Sequence, residues 1–178
     1  ARGSLVNTAS GNCAVEDLVP GMMVQTPDAG PEQLLRIGST TILPTASSPD
    51  DAAPALYRVA DSCFGQSSDM PDLLLGTGAR ILRNTTGEPS RGRLQNIEEL
   101  CDGFSVIKVS PRSPVQVFHL GFASHRLINV NGLTLESFHP GTDTRYLLSD
   151  ELFSAFLALF PHIRRSADFG PLNHRRRA

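Results

Sequence analysis

The chain has 178 residues, 40% of them apolar and 19% charged, with 16 basic side chains against 18 acidic ones. That apolar content, with a net charge of only -2, excludes disorder of the whole chain. A chain this long buries enough surface to fold as one domain without a disulfide or metal, and no stretch approaches the roughly 20 apolar residues of a membrane span.

In chain order, short β-type runs alternate with turn residues. Ser4 to Thr8 is followed by Ser10-Gly11-Asn12, and Met22 to Thr26 by Pro27 to Gly30. Leu34 to Gly38 leads to Thr40 to Pro44; later runs are Leu73 to Leu82, Phe104 to Val109, Val115 to Leu120 and Arg126 to Val130. Runs of this length bounded by Gly, Pro, Asn or Asp predict strands joined by turns. Asn131-Gly132, between Ile128-Asn129-Val130 and Leu133-Thr134-Leu135, predicts a two-residue hairpin. Residues 45–54, rich in Ala, Ser, Pro and Asp, read as a mobile loop. One helix is expected near the end. Ser149 can cap it, Asp150 and Glu151 suit its positive end, Leu152, Phe153, Phe156, Leu157 and Phe160 form an apolar face, and Pro161 stops it. That face is expected to pack on the β body, the alternative being a partner chain.

The remaining composition is quickly placed. Lys108 is the only lysine, and the arginines are scattered among carboxylates, which argues against nucleic-acid binding. Arg175, Arg176 and Arg177 read as a solvated tail. Cys13, Cys63 and Cys101 are odd in number and lack a metal-ligand spacing, so they read as small buried side chains. No signal-peptide pattern opens the chain as given, and neither a membrane nor a cofactor is expected.

An internal duplication organises the strands. Val15 to Val24 repeats as Ile97 to Val106 in the pattern apolar, acid, acid, Leu, two residues, Gly, two residues, Val. Each copy has a β run closed by glycine upstream, Leu5-Val6 before Gly11 and Ile81-Leu82 before Gly87. The reading is an all-β body with pseudo-twofold symmetry. Glu16, Asp17, Glu98 and Glu99 are then expected to cap short helical turns and not to form an acidic site.

A Gly3-Ser4 opening, the Val15-Glu16-Asp17-Leu18 segment and this twofold plan resemble the Hint family, the domains shared by Hedgehog proteins and inteins. The bacterial stand-alone Hint domains are the nearest kind. Leu34 to Gly38, Phe64-Gly65 with Asp72 to Leu75, Phe118-His119-Leu120, His125 to Ile128, and Asn131 through Glu136-Ser137-Phe138-His139-Pro140-Gly141 are similar to successive family segments. The resemblance implies a horseshoe-shaped all-β Hint fold over residues 1–165 with one C-terminal amphipathic helix, and a tail over 166–178. It also implies self-directed acyl transfer, in which a cysteine attacks the carbonyl before it and a histidine in a second block protonates the leaving amine.

Two positions depart from the family pattern. The register of Gly3-Ser4 sets the cysteine about two positions before Ala1. Aligning Arg80-Ile81-Leu82 sets Ala79 where the second-block histidine should stand. The C-terminal His-Asn pair of inteins is replaced by Asn173-His174 in reversed order, so splicing is not expected. His125 matches the family's later-strand histidine and is the first candidate site residue, with a buried, hydrogen-bonded structural histidine as the competing reading. His119 and Thr77 are further candidates, each with a structural alternative, and Glu136 and His139 are expected to bond backbone. A metal site from His119, His125, His139 and a cysteine lacks a zinc spacing and is not expected. The expected function is a degenerate Hint domain acting as a structural or interaction module on its own flanking polypeptide. The alternative is an active self-cleaving domain seen in truncated or mutated form.

Overall fold

The computed structural model describes residues 1–44, 55–61, 70–83, 92–141, 148–158, 160, 163–174 and 176. The loop expected over residues 45–54, together with Cys63, Phe64, Gly65 and Pro161, lies outside them. The described strands are β1 (Leu5–Thr8), β2 (Gly11–Ala14), β3 (Met23–Thr26), β4 (Gly30–Gln33), β5 (Arg36–Ile42), β6 (Leu56–Val59), β7 (Leu73–Gly76), β8 (Arg80–Arg83), β9 (Arg93–Asn96), β10 (Val106–Val109), β11 (Val115–Gly121), β12 (Leu127–Val130) and β13 (Leu133–Glu136). Among the described residues a single α-helix, α1 (Asp150–Ala158), follows them. The body is all β, as expected.

One large sheet runs in the order β4-β3-β1-β12-β13-β8-β9, with β2 paired on β1. A second sheet runs β10-β6-β7, and β5 pairs with β11 as a long antiparallel ribbon. The duplicated sequence has a structural counterpart in each half. β1 and β2 form a hairpin, a 3-10 turn follows at Val15–Asp17, then β3; β8 and β9 form the second hairpin, followed by Ile97–Leu100 and β10. The backbone repeats too. Val15 N donates to Ser4 O at 2.8 Å, and Ile97 N to Ala79 O at 2.9 Å. Ser4 N reaches Ala1 O at 3.2 Å, and Ala79 N reaches Gly76 O at 3.3 Å. Gly3 and Gly78 share the same left-handed backbone, with φ of 82° and 81°. Ser4 and Ala79 are therefore equivalent positions.

Burial explains why the motif repeats. Its first apolar residue (Val15 or Ile97) and its last (Val24 or Val106) are buried in the main core with Val6 and Ile81, one from each hairpin. Asn131 (φ 47°) and Gly132 (φ 78°) form the expected two-residue turn between β12 and β13. The Asn131 side chain accepts from Leu5 N at 2.7 Å and donates to Pro71 O at 2.9 Å, tying that hairpin to β1 and to the approach to β7.

Several local expectations change. Leu73 to Leu82 is not one strand but two, because Gly78 turns the chain between β7 and β8. Leu34 to Ile42 is broken by no turn, and β5 continues through Gly38. The acidic pairs do sit in the first turns of both 3-10 segments, yet the cap in the second copy is Asn96, which accepts from Glu98 N. Glu16 instead accepts from Gly3 N at 2.8 Å. Cys13 is half-buried against the core and Cys101 is exposed, so the reading of buried thiols fails for Cys101.

The helix begins as the sequence indicates, with Ser149 Oγ accepting from Leu152 N. Its Phe156 and Leu157 join Phe160, Ile163 and Phe169 in a separate apolar cluster that meets the β body at Phe138. Leu152 points away and is exposed.

Candidate functional site

Both halves contribute to a cleft of about 450 Å³. Its walls come from the equivalent turns Ala1–Ser4 and Gly76–Ala79, from the β5–β11 ribbon, and from the segment Glu136–His139 that leaves β13. Arg80 and Arg176 line it as well. The equivalent positions 4 and 79 thus both line one cavity.

Three of the four residues singled out from sequence meet here. Ala79 is half-buried, its methyl packed against the main core, and Thr77 is exposed on the rim. His119 reaches the cleft from β11, opposite Gly38, with its ring edge-on to Phe138 at 5.9 Å. Partial desolvation in the cleft, and then the Arg36 guanidinium, hold its imidazole below the ordinary histidine value. Arg36 itself has few directions open. Gly38 on the same strand and Gly121 across the ribbon leave room for it, and its guanidinium lies over the Phe160 ring at 3.8 Å.

His125, the fourth, stands one layer behind the cleft and does not line it. It is fully buried, with Nε2 2.8 Å from Glu136 Oε1 in a close but poorly directed contact. Nδ1 accepts from Asn173 N at 3.1 Å. Because Nδ1 accepts, the single proton of the neutral ring belongs on Nε2, facing the carboxylate.

Glu136 is the centre of the polar network, and sequence reasoning missed it. Its side chain is only 5% exposed. Desolvating a carboxylate costs several kcal/mol, so such a group persists only with partners. Arg176 Nε donates to Oε1 at 2.7 Å, and Arg80 Nη1 to Oε2 at 3.3 Å. Burial pushes the Glu136 carboxyl upward, but His125 and Arg176 more than offset this and hold it below its usual range. The expectation of backbone bonding thus fails for Glu136. For His139 it is met: Nδ1 accepts from Gly141 N at 3.0 Å, and Nε2 lies 3.1 Å from Gly170 O.

The tail also differs from its sequence reading. Arg176 is half-buried, bridges to Leu94 on the β9 edge and lines the cleft, so the arginine cluster is not wholly a solvated arm. Nothing local in Asn173-His174-Arg175-Arg176 signals this docking. Among the described residues no group of three or more His, Cys, Asp or Glu is placed to hold a metal.

A family model described as the Hint domain matches residues 1–142, most of the chain. The chain belongs to the Hint domain family. Among solved structures, this Hint domain is similar to the MchDnaB-1 intein at 14% identity, over 78% of this chain and 98% of that one, with a TM-score of 0.46. It is also similar to the bacterial intein-like domain from Clostridium thermocellum, at 15% identity over 77% and 96% of the two chains, with a TM-score of 0.40. No curated protein matches the sequence. The family match ends at residue 142, so α1 and the docked Asn173, His174 and Arg176 lie beyond it.

Proposed function

We propose that this Hint domain keeps the cleft of its family but lacks the acid–base group for self-cleavage, and serves as a structural or interaction module on its own flanking polypeptide. The observation that carries the reading is Ala79. It occupies the turn at the cleft wall where the resemblance sets the second-block histidine, and it offers only a methyl group. Breaking an amide by thiol attack needs a proton delivered to the leaving nitrogen, and losing that donor costs about 10²–10⁴ in rate. His125 is a poor replacement, since Asn173 occupies its Nδ1 and Glu136 faces its Nε2.

One observation favours the second reading, an active self-cleaving domain. The Ala1 nitrogen lies at the cleft, 2.8 Å from Leu74 O and 3.2 Å from Ser4 Oγ, so a residue preceding Ala1 in a longer chain enters the cavity there. His119 opens onto the same space.

The two readings separate in a fusion carrying a tagged carrier and a Cys-Phe pair before Ala1, incubated with dithiothreitol. The degenerate reading expects a stable fusion, and an Ala79→His fusion that cleaves at least about 10²-fold faster. Cleavage of the unaltered fusion at the rate of Ala79→His would establish the active reading instead. Stability of both fusions would assign the module role without making position 79 its cause.

A further inference from the structure

Asn173, which holds His125, and Arg176, which holds Glu136 together with Arg80, come from the far end of the chain, outside the stretch that matches the family. They are brought there by the aromatic cluster. Phe160 stacks on Phe138 at 5.4 Å, Phe169 meets Phe160 at 4.9 Å, and the Gly170 carbonyl lies 3.1 Å from His139 Nε2. The chain then passes directly over His125. Asn173 uses two separate groups: its backbone N–H donates to His125 Nδ1 at 3.1 Å, and its side-chain Nδ2 donates to His125 O at 2.8 Å. His174 lies 3.0 Å from Asp28 Oδ2, with its ring 5.6 Å from that of His125. Arg176 finishes the strap, donating to Glu136 Oε1 at 2.7 Å and to His139 O at 2.9 Å.

We propose that Asn173 and Arg176 are positioning residues of the cleft: the returning C-terminal strap fixes the tautomer of His125 and the charge and direction of Glu136. An imidazole has one lone pair and one N–H to distribute. A backbone N–H aimed at Nδ1 takes the lone pair, so the proton stays on Nε2 beside the carboxylate. Arg176, aimed at Oε1, keeps that carboxylate ionised and turned toward His125 at the edge of the cleft. The strap therefore removes the free nitrogen that His125 could offer a substrate; of the described histidines lining the cavity, His139 has both ring nitrogens engaged, and His119 is left to face it. The strap acts in the same way whether or not the cleft cleaves a peptide bond.

The test is nitrogen NMR of the full chain labelled in histidine. The unaltered protein is expected to show His125 with a bare Nδ1 and a protonated Nε2. Asn173→Ala keeps the backbone N–H and should keep that pattern. Asn173→Pro removes the N–H together with the side-chain amide that Asn173→Ala already removes, so the difference between the two variants isolates the N–H; Asn173→Pro should move both ring resonances toward the averaged position of two exchanging tautomers. Arg176→Met should leave the tautomer alone and raise the titration of the Glu136 carboxyl, read by carbon NMR. A protonated Nδ1 in the unaltered chain, the same tautomer with Pro at 173, or a Glu136 titration unmoved by Arg176→Met would each overturn the assignment. Should Asn173→Pro not fold, the tautomer of the unaltered chain and the Arg176→Met titration still decide it.

Discussion

His139 has a hydrogen-bond partner at each ring nitrogen, and the pattern suits only the neutral ring. Burial lowers its affinity for a proton, and the Arg176 guanidinium acts in the same direction, against the opposing bond to Gly170 O and the Glu136 carboxylate. Glu136 is shifted downward too, from 4.5. In both cases the folded chain binds fewer protons than the unfolded one, so stability falls as the pH falls. The His139 contribution is complete above its unfolded value of 6.5 and is lost as pH falls through its lower folded value. That of Glu136 is complete above 4.5 and is lost below, through its own folded value. The urea midpoint is therefore expected to decline first below pH 6.5 and again below 4.5, with His139→Phe shrinking the first decline. A midpoint that stays flat from 6.5 to 4.5 contradicts this account. At this scale the sequence was informative where the signal was local. Thr77 and Ala79 were located by the Arg80-Ile81-Leu82 segment beside them, although the turn at Gly78 was read through, whereas the partners of Glu136 come from three separate stretches that no spacing links.

The helix illustrates what an apolar face can and cannot say. Its spacing foretold the cluster, and Phe156, Leu157 and Phe160 do pack together, yet Leu152 on the same nominal face is 60% exposed. The contact passes through Phe138, a small anchor that only the inner end of the face reaches. Phe160→Ala is expected to cost about 3–5 kcal/mol of the stability of the C-terminal segment, because a 2% exposed ring leaves a cavity. Leu152→Ser should change it by less than about 0.5 kcal/mol. Hydrogen exchange of the α1 amides measures both; equal losses would mean that the helix docks along its whole face. Among the strands, the apolar runs appeared as expected, while β2, β4, β6 and β9 did not announce themselves. β2 and β4 are short and mostly polar, made strands by the neighbours they pair with and not by their own alternation.

For the whole molecule, the twofold plan makes a prediction that no single half could. Gly3 and Gly78 hold matching turns at the cleft, with φ near 80° and nothing within 4 Å of where a Cβ would stand. Alanine there meets no clash and carries only the backbone penalty, about 1–2 kcal/mol. Gly3→Ala and Gly78→Ala should therefore lower stability by similar amounts in thermal unfolding, and a large loss at one with none at the other would break the equivalence. The pairing of β5 with β11 completes the plan, since the ribbon joins one strand from each half and walls the cleft.

The sequence by itself determined the class of fold, the duplication, the hairpin at Asn131-Gly132 and the methyl group at position 79. Each of these depends on neighbours in the chain, or on a burial pattern that must repeat when the structure repeats. Only the tertiary structure decided that His125 stands behind the cleft, that Glu136 is its ionic centre and that the C-terminal residues close over both. Those outcomes depend on charges too costly to bury alone, which must find partners wherever folding brings them, and distance along the chain carries no record of that choice.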